Sequence, residues 1–375
     1  MGKRTNTAVW MDKHQRWQIK VQKDGERRTF YSSAPGRTGQ RECNAKADAW
    51  LDDGIVGEHK RVRDMLDEWY EDLKLTTSRS HYRQYKSYME HWIKPKIGSV
   101  KMADLSEGHL QSVINNAYGK GKLARKTLQN IRACLTAFVK YSRRHKATSL
   151  IIDGLDIPKS AVAGEREILQ PDDLKTLFSV DTVTLFGKRQ YDLYVNAYRL
   201  EVITGLRPGE VLGLEWNDIA GADITIRRSI NVYNEETRGK NDNARRSFSL
   251  TPLAVEVLAR QLEALNAAGL ASSKWVFPNE GGGALSQSTY YKRWVRYRDE
   301  NGIVARSSPY ELRHTFVSVV KALPQGLLKK IVGHSVDMDT YGIYSHELAG
   351  DAQQAADLIQ DIFNGLLAPN EDVNK

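Results

Sequence analysis

A chain of 375 residues with 55 lysines and arginines against 46 acidic residues, a net charge of +9 at neutral pH, is long enough for two or three separately cored domains and favours a polyanionic partner. Its two cysteines form no metal-like pair, and no apolar run reaches signal or membrane length; this excludes a disulfide-built secreted module and a membrane protein and implies a reducing, cytoplasmic setting. HExxH, paired-carboxylate and GxxxxGK[ST] patterns are missing too, so a metal-dependent nuclease or an ATPase lacks its residues and no cofactor or metal is implied.

The first 46 residues carry eleven lysines and arginines against four acids. Within them Trp17, Ile19 and Val21 alternate with polar residues, Asp24-Gly25 offers a hairpin turn, and Arg27 to Tyr31 supplies a second strand. Cys43, Ala47, Trp50 and Leu51 then repeat at helical spacing, so one helix backs a basic two-stranded ribbon of major-groove dimensions. The polar stretch Asp52 to Lys60 reads as a linker. Beyond it Val62, Leu66, Trp69, Tyr70 and Leu73 mark one amphipathic helix, Tyr82 to Trp92 another, and Leu128, Ile131, Leu135, Phe138 and Val139 a third. This small bundle is rich in basic residues, among them Arg79, Arg83, Lys86, Arg125, Lys126 and the run from Lys140 to Lys146. Asp153 to Glu165, with Pro158 and Gly164, reads as a second linker. The rest is mainly helical, with strands at 224–226 and 230–232 set against 247–250, then a helix from Pro252 that turns Val255, Leu258, Leu262 and Leu265 inward. The tail from Gly350 to Leu367 is an amphipathic helix, suited either to a neighbouring copy or to its own core. The fold class is multidomain and mainly α, divided into residues 1–56, 61–152 and 165–375.

Three clusters in the last part carry chemistry. Arg207 stands before Pro208 in Gly205-Leu-Arg-Pro-Gly-Glu210, beside a helix start that already favours anions. Ser308-Pro-Tyr-Glu311 is a capping box, so Tyr310, Arg313 and His314 fall at i, i+3 and i+4 on one helix face. Leu327 to Val332 is a short helix stopped by Gly333, which puts His334 just past its end. Paired guanidiniums such as Arg207 and Arg313 neutralise the non-bridging oxygens of a phosphodiester under attack. A tyrosine supplies a nucleophile once aligned and relieved of its proton; Tyr341 and Tyr344 both follow the histidine. A lysine on a hairpin tip, such as Lys240, can protonate the departing sugar oxygen.

In order and spacing these clusters resemble the tyrosine recombinases, the phage-type and conjugative-element integrases. Thr204-Gly-Leu-Arg207-Pro-Gly-Glu210, followed by Leu214-Glu-Trp216-Asn-Asp218, matches the first family motif almost completely. Tyr310-Glu-Leu-Arg313-His314-Thr-Phe316 matches the second with tyrosine in place of its first histidine, which costs a group able to exchange protons near neutral pH. Gly333-His334-Ser335 with Tyr344-Ser-His346 matches the third. The resemblance implies catalytic Arg207, Lys240, Tyr310, Arg313, His334 and Tyr344, with Tyr344 rather than Tyr341 the nucleophile and a covalent 3′-phosphotyrosine. It further implies an arm-type DNA-binding domain, a helical core-site domain and a catalytic domain. The partners it brings are double-stranded DNA at arm and core sites, a homotetramer, and a directionality factor or host DNA-bending protein. A type IB topoisomerase and a non-catalytic DNA-binding regulator are the alternatives.

Overall fold

The computed structural model describes residues 6–23, 26–52, 60–164, 167–238, 245–333 and 351–369. It divides into two compact units, Met1–Glu165 and Arg166–Lys375.

In the first unit, three antiparallel strands stand in the order β1 (Val9–Met11), β2 (Arg16–Lys23), β3 (Glu26–Ser32). Strand periodicity accounts for β2, which buries Ile19 and Val21 and exposes Lys20 between them. Helix α1 (Gly36–Asp52) covers that face with Cys43 and Ala47, and Trp17, Phe30, Trp50 and Leu51 close the small core. The ribbon expected from sequence is therefore three-stranded. The extra strand pairs Trp10 with Trp17 and is tied to α1 by the Ala8 amide donating to Asn44 Oδ1 at 2.8 Å.

Helices α2 (Val62–Thr76), α3 (Arg79–Tyr88), α4 (Lys94–Ile97), α5 (Glu107–Gly121) and α6 (Arg125–Arg144) bury a second core, with a π turn at Met89–Ile93 joining α3 to α4. Trp69 sits within 5.6–6.1 Å of the rings of Tyr85, Phe138 and Tyr141. The stretch after Asp153 is strapped onto this bundle. Leu155 and Ala161 are buried, the amides of Gly154 and Asp156 donate to Glu107 and Gln111, and Arg125 N bonds Val162 O. Side chains of α5 thus satisfy two of its backbone amides.

The second unit is built around α8 (Val195–Thr204), all ten residues of which are buried. Packed on it are α7 (Pro171–Ser179), α10 (Pro252–Ala267) and α12 (Pro309–Val319). A hairpin, β4 (Thr182–Leu185) with β5 (Lys188–Tyr191), precedes α8, and α9 (Pro208–Leu212) follows it. The small sheet runs β10 (Arg246–Ser249), β7 (Asp223–Ile226), β6 (Ile219–Ala220). This corrects the expected pairing of 230–232 with 247–250: β10 pairs with β7, while β8 (Ser229–Ile230) folds back on β9 (Glu236–Thr237). Asn231 causes the fold-back, its Oδ1 accepting from the amides of Tyr233 and Glu235 while Asn234 takes a left-handed φ of 59°. A second correction concerns α10, which buries Ala254, Val257, Leu258, Gln261 and Leu265 but leaves Val255 and Leu262 exposed. Gln261 joins the buried stripe because it donates to Val276 O and accepts from Asn196, which turns the helix away from the purely apolar register.

Helices α11 (Gln287–Glu300), α13 (Gln325–Val332) and α14 (Asp351–Leu367) complete the unit. The tail helix α14 lies on its own unit's core, burying Ala355, Ile359 and Phe363, with Gln360 Oε1 accepting from Leu253 N at 2.9 Å. Burying Ile359 and Phe363 contributes on the order of 2–3 kcal/mol each. No described helix is long and apolar enough to cross a membrane.

Candidate active site

Gly205 ends α8 at a φ of +64°, and a Cβ there would lie 2.3 Å from the Phe316 ring. Only glycine meets both demands. The turn sets Arg207 at the N-cap of α9 in extended backbone, with Pro208 as first helical residue. Arg207 N donates to Glu210 Oε2 at 3.0 Å and its Nη1 to Glu210 Oε1 at 2.7 Å; Nη2 reaches Gly333 O at 3.1 Å. About a quarter of the side chain stays exposed, so it can meet a ligand.

Arg313 rises from the second turn of α12, a helix capped by the Ser308 amide donating to Glu311 as the capping box requires. It is almost wholly buried, Nη1 donating to Gly205 O at 2.6 Å and Nη2 to Val332 O at 2.7 Å. Burial, and then the charge of Arg207, bring its pKa down to about 10, so the group remains a cation at neutral pH. One turn earlier Tyr310 is half-exposed, its ring edge-on to His314 at 5.2 Å. Of the three residues expected on one face of α12, Tyr310 and His314 lie ring against ring, while Arg313 points into the core.

Two groups of the site, Arg246 and Glu201, escape motif reading. The motif residue Glu210 is buried between two arginines. Arg246 on β10 grips it from the other side, Nη2 to Oε2 at 2.8 Å and Nη1 to Oε1 at 3.1 Å, and donates Nε to Ile331 O at 2.6 Å. Burial by itself would raise the Glu210 carboxyl, but the hydrogen bond and charge of Arg246, with Arg207 behind, hold it below the usual range, so it is ionised. The basic pair Arg245-Arg246 ahead of a strand is the available sequence signal; its partner lies 36 positions away. The other group is Glu201, fully buried one helical turn before Gly205. It accepts from Tyr290 Oη at 2.8 Å while its Oε1 has no partner. Burial pushes its pKa well above the carboxylate range, against the charge of Arg313, which favours the ionised form.

One pattern joins these contacts. The carbonyls of Ile331, Val332 and Gly333, consecutive at the end of α13, accept from Arg246, Arg313 and Arg207 respectively. The last carbonyls of a helix lack intrahelical partners and lie at the negative end of its dipole, so three guanidiniums are drawn to one helix terminus. Gly333 stops that helix at a φ of +63°. His334, Lys240, Tyr344, its rival Tyr341 and His346 lie outside the described residues. Among the described residues, no group of three His, Cys, Asp or Glu side chains is placed to hold a metal ion.

A mainly helical unit gathers guanidiniums around one ionised carboxylate, with a half-exposed phenol beside them, a grouping suited to an anionic ligand. Residues 167–350 match the phage integrase family, and residues 62–117 match the phage integrase N-terminal SAM-like domain; together they cover more than half the chain. The chain belongs to the phage integrase family of tyrosine recombinases and is a site-specific DNA recombinase. It is 23% identical to a tyrosine recombinase XerC-like protein of Caldanaerobacter subterraneus subsp. tengcongensis over 97% of this chain and 100% of that one. To the ICEBs1 integrase of Bacillus subtilis it is 24% identical, over 45% of this chain and 49% of that one. Among solved structures, the Tn1549 transposon integrase in complex with transposon right end DNA superposes with a TM-score of 0.59 at 16% identity, over 79% of this chain and 98% of that chain. A lambda integrase dimer bound to a core site gives 0.57 at 14% identity, over 93% and 99%.

Proposed function

We propose that this chain is the integrase of a mobile genetic element, cutting and rejoining double-stranded DNA through Tyr344. The Tyr344 hydroxyl gives its proton to water as its oxygen attacks the scissile phosphorus, the bond to the 5′ oxygen breaks, and Lys240 gives that oxygen its proton. A 3′-phosphotyrosyl bond results, which keeps the phosphodiester energy for resealing and so calls for no ATP. Arg207, Arg313, Tyr310 and His334 hold the phosphate oxygens. Tyr310, where the family has histidine, acts as a hydrogen-bond donor rather than as a base. The observation that carries this reading is the arginine pair, Arg207 and Arg313, fixed against Gly205 and against adjacent carbonyls of α13, because paired guanidiniums are what the charge on a phosphate in transit demands.

Residues 1–56 serve as the arm-site domain, 61–152 as the core-site domain and 165–375 as the catalytic domain. Exposed Lys20, Arg27 and Arg28 on the sheet and Arg125, Lys126 and Lys140 on the bundle suit duplex phosphates. The working form is a tetramer on two duplexes in the cytoplasm, assisted by a directionality factor or a host DNA-bending protein. A lambda integrase tetramer bound to a Holliday junction, similar to this chain at a TM-score of 0.55, supports that assembly.

Covalent trapping tests the reading. Wild-type protein, Tyr344→Phe and Tyr341→Phe are incubated with nicked duplexes carrying the ends of the protein's own element, and protease-sensitive protein–DNA adducts are resolved on denaturing gels. An adduct lost in Tyr344→Phe and kept in Tyr341→Phe is expected. Loss in Tyr341→Phe alone would move the nucleophile; no adduct from wild type that binds the same DNA would overturn the cleavage chemistry.

A further inference from the structure

We propose that Arg246 is a positioning residue for strand cleavage, one that keeps the charge of Arg207 available to the scissile phosphate by taking up the carboxylate of Glu210. The inference rests on the recombinase reading of the site and adds to it a residue whose side chain is 8% exposed.

The geometry sets the roles apart. Arg246 is 8% exposed at its side chain, and its fork spans both Glu210 oxygens, the bidentate arrangement that binds a carboxylate most firmly. Arg207 holds the same carboxylate by a single guanidinium contact, at Oε1, and is the more exposed partner. Two cations share one anion, and the buried one has the tighter hold. Take Arg246 away and the Glu210 carboxylate, 3% exposed, has Arg207 as its remaining guanidinium partner among the contacts described. A buried carboxylate requires a counter-charge, so the Arg207 guanidinium would be drawn onto it and its field at the phosphate largely cancelled.

Arg246 has a second grip on the site. Its Nε anchors Ile331 O, next to the carbonyls that orient Arg313 and Arg207. Losing that contact frees the first carbonyl of the three and loosens the seat of the other two. Both effects reach the phosphate through other residues.

The test is single-turnover adduct formation by the full chain on a suicide duplex carrying the element's own ends, at saturating DNA. Arg246→Gln should slow cleavage roughly 10–100-fold, less than the roughly 100–1000-fold that follows loss of a donor touching the developing oxyanion itself, while the DNA dissociation constant stays nearly unchanged. The double variant Glu210→Gln, Arg246→Gln removes the carboxylate that captures Arg207, so it should cleave faster than Arg246→Gln alone. Arg246→Lys, which keeps the charge and loses the fork, should fall between wild type and Arg246→Gln. A duplex with a neutral methylphosphonate at the scissile position asks little of the charge on Arg207, and there the Arg246→Gln deficit should shrink to a few-fold. A structural defect would be the same on both substrates and would follow the melting temperature. Losses that multiply in the double variant, or an equal deficit on methylphosphonate, would overturn the inference. So would an Arg246→Gln enzyme as fast as wild type, with the function intact. A wild-type enzyme that forms no adduct overturns the reading of function and this inference with it.

Discussion

Gly205→Ala tests the turn on which the arginines depend. The substitution places a Cβ 2.3 Å from Phe316 Cδ1 and 2.8 Å from Cε1, at a backbone φ of +64°. A left-handed conformation costs a residue with a Cβ about 1–2 kcal/mol, and forcing an extra carbon into a filled core about 1–3 kcal/mol. The two together come to about 2–5 kcal/mol. Calorimetry of the full chain should show the transition of the 166–375 unit lowered by roughly 5–15 °C, since a unit of that size loses a few degrees per kcal/mol. Gly205→Asn separates the causes, because asparagine tolerates the left-handed region yet carries the same Cβ. If contact with Phe316 dominates, Gly205→Asn melts no higher than Gly205→Ala. The Gly205 carbonyl also receives Arg313 Nη1, so cleavage by any folded variant should be slow. A Gly205→Ala protein melting within about 1 °C of wild type would show that Phe316 yields freely and would refute the packing argument.

Two further outcomes follow from the same surroundings. Glu201 has a folded pKa raised by burial well above its ordinary 4.5. Its contribution is therefore whole below about pH 4.5 and is lost as pH climbs toward the folded value, the unfolded chain releasing a proton that the folded one keeps, at up to about 1.4 kcal/mol per pH unit. Glu201→Gln does not titrate, so the melting temperature of the variant minus that of wild type should grow from about pH 5 to about pH 8; a constant difference would mean Glu201 is ionised in the fold. Tyr310→Phe removes a rim hydroxyl and keeps the ring against His314. Cleavage should drop about 10-fold, the worth of one hydrogen bond to a charged group, with the melting temperature steady, whereas unchanged cleavage would remove Tyr310 from the phosphate site.

What the sequence disclosed and what it hid divide along physical lines. Local signals were legible: the Ser308–Glu311 box starts α12, Gly333 stops α13, and Pro208 follows an N-cap arginine. Alternation around Ile19 and Val21 announced the N-terminal sheet, though Val9–Met11 is too short to show a period. Helix α8 has no polar face, since every residue from Val195 to Thr204 is buried, and a helix buried all round shows no 3.6-residue stripe. Asn231 broke the expected strand at 230–232 through its own side chain, which hydropathy cannot register. In α10 a buried glutamine with two polar partners, Gln261, shifted the inward face away from Val255 and Leu262.

Motifs named Arg207 and Arg313 because the residue types are distinctive, but said nothing of what aims them. That work falls to contacts 85, 19 and 126 positions apart, from Arg246, Arg313 and Arg207 to the carbonyls of Ile331, Val332 and Gly333. Backbone carbonyls carry no side-chain identity, so any sequence that ends a helix at Gly333 would present them. The specificity lies in bringing three guanidiniums to that end, and one buried carboxylate, Glu210, links two of them. A helix terminus offers partial charge at fixed positions, while a second full carboxylate there would cancel more of the arginines' positive charge. Burial favours the neutral form of Glu201 beside Tyr290, and Glu210 has its two-pronged contact with Arg246, the less exposed of its two arginine partners. The positive charge left over is carried by Arg207 and Arg313, the two residues the motifs single out.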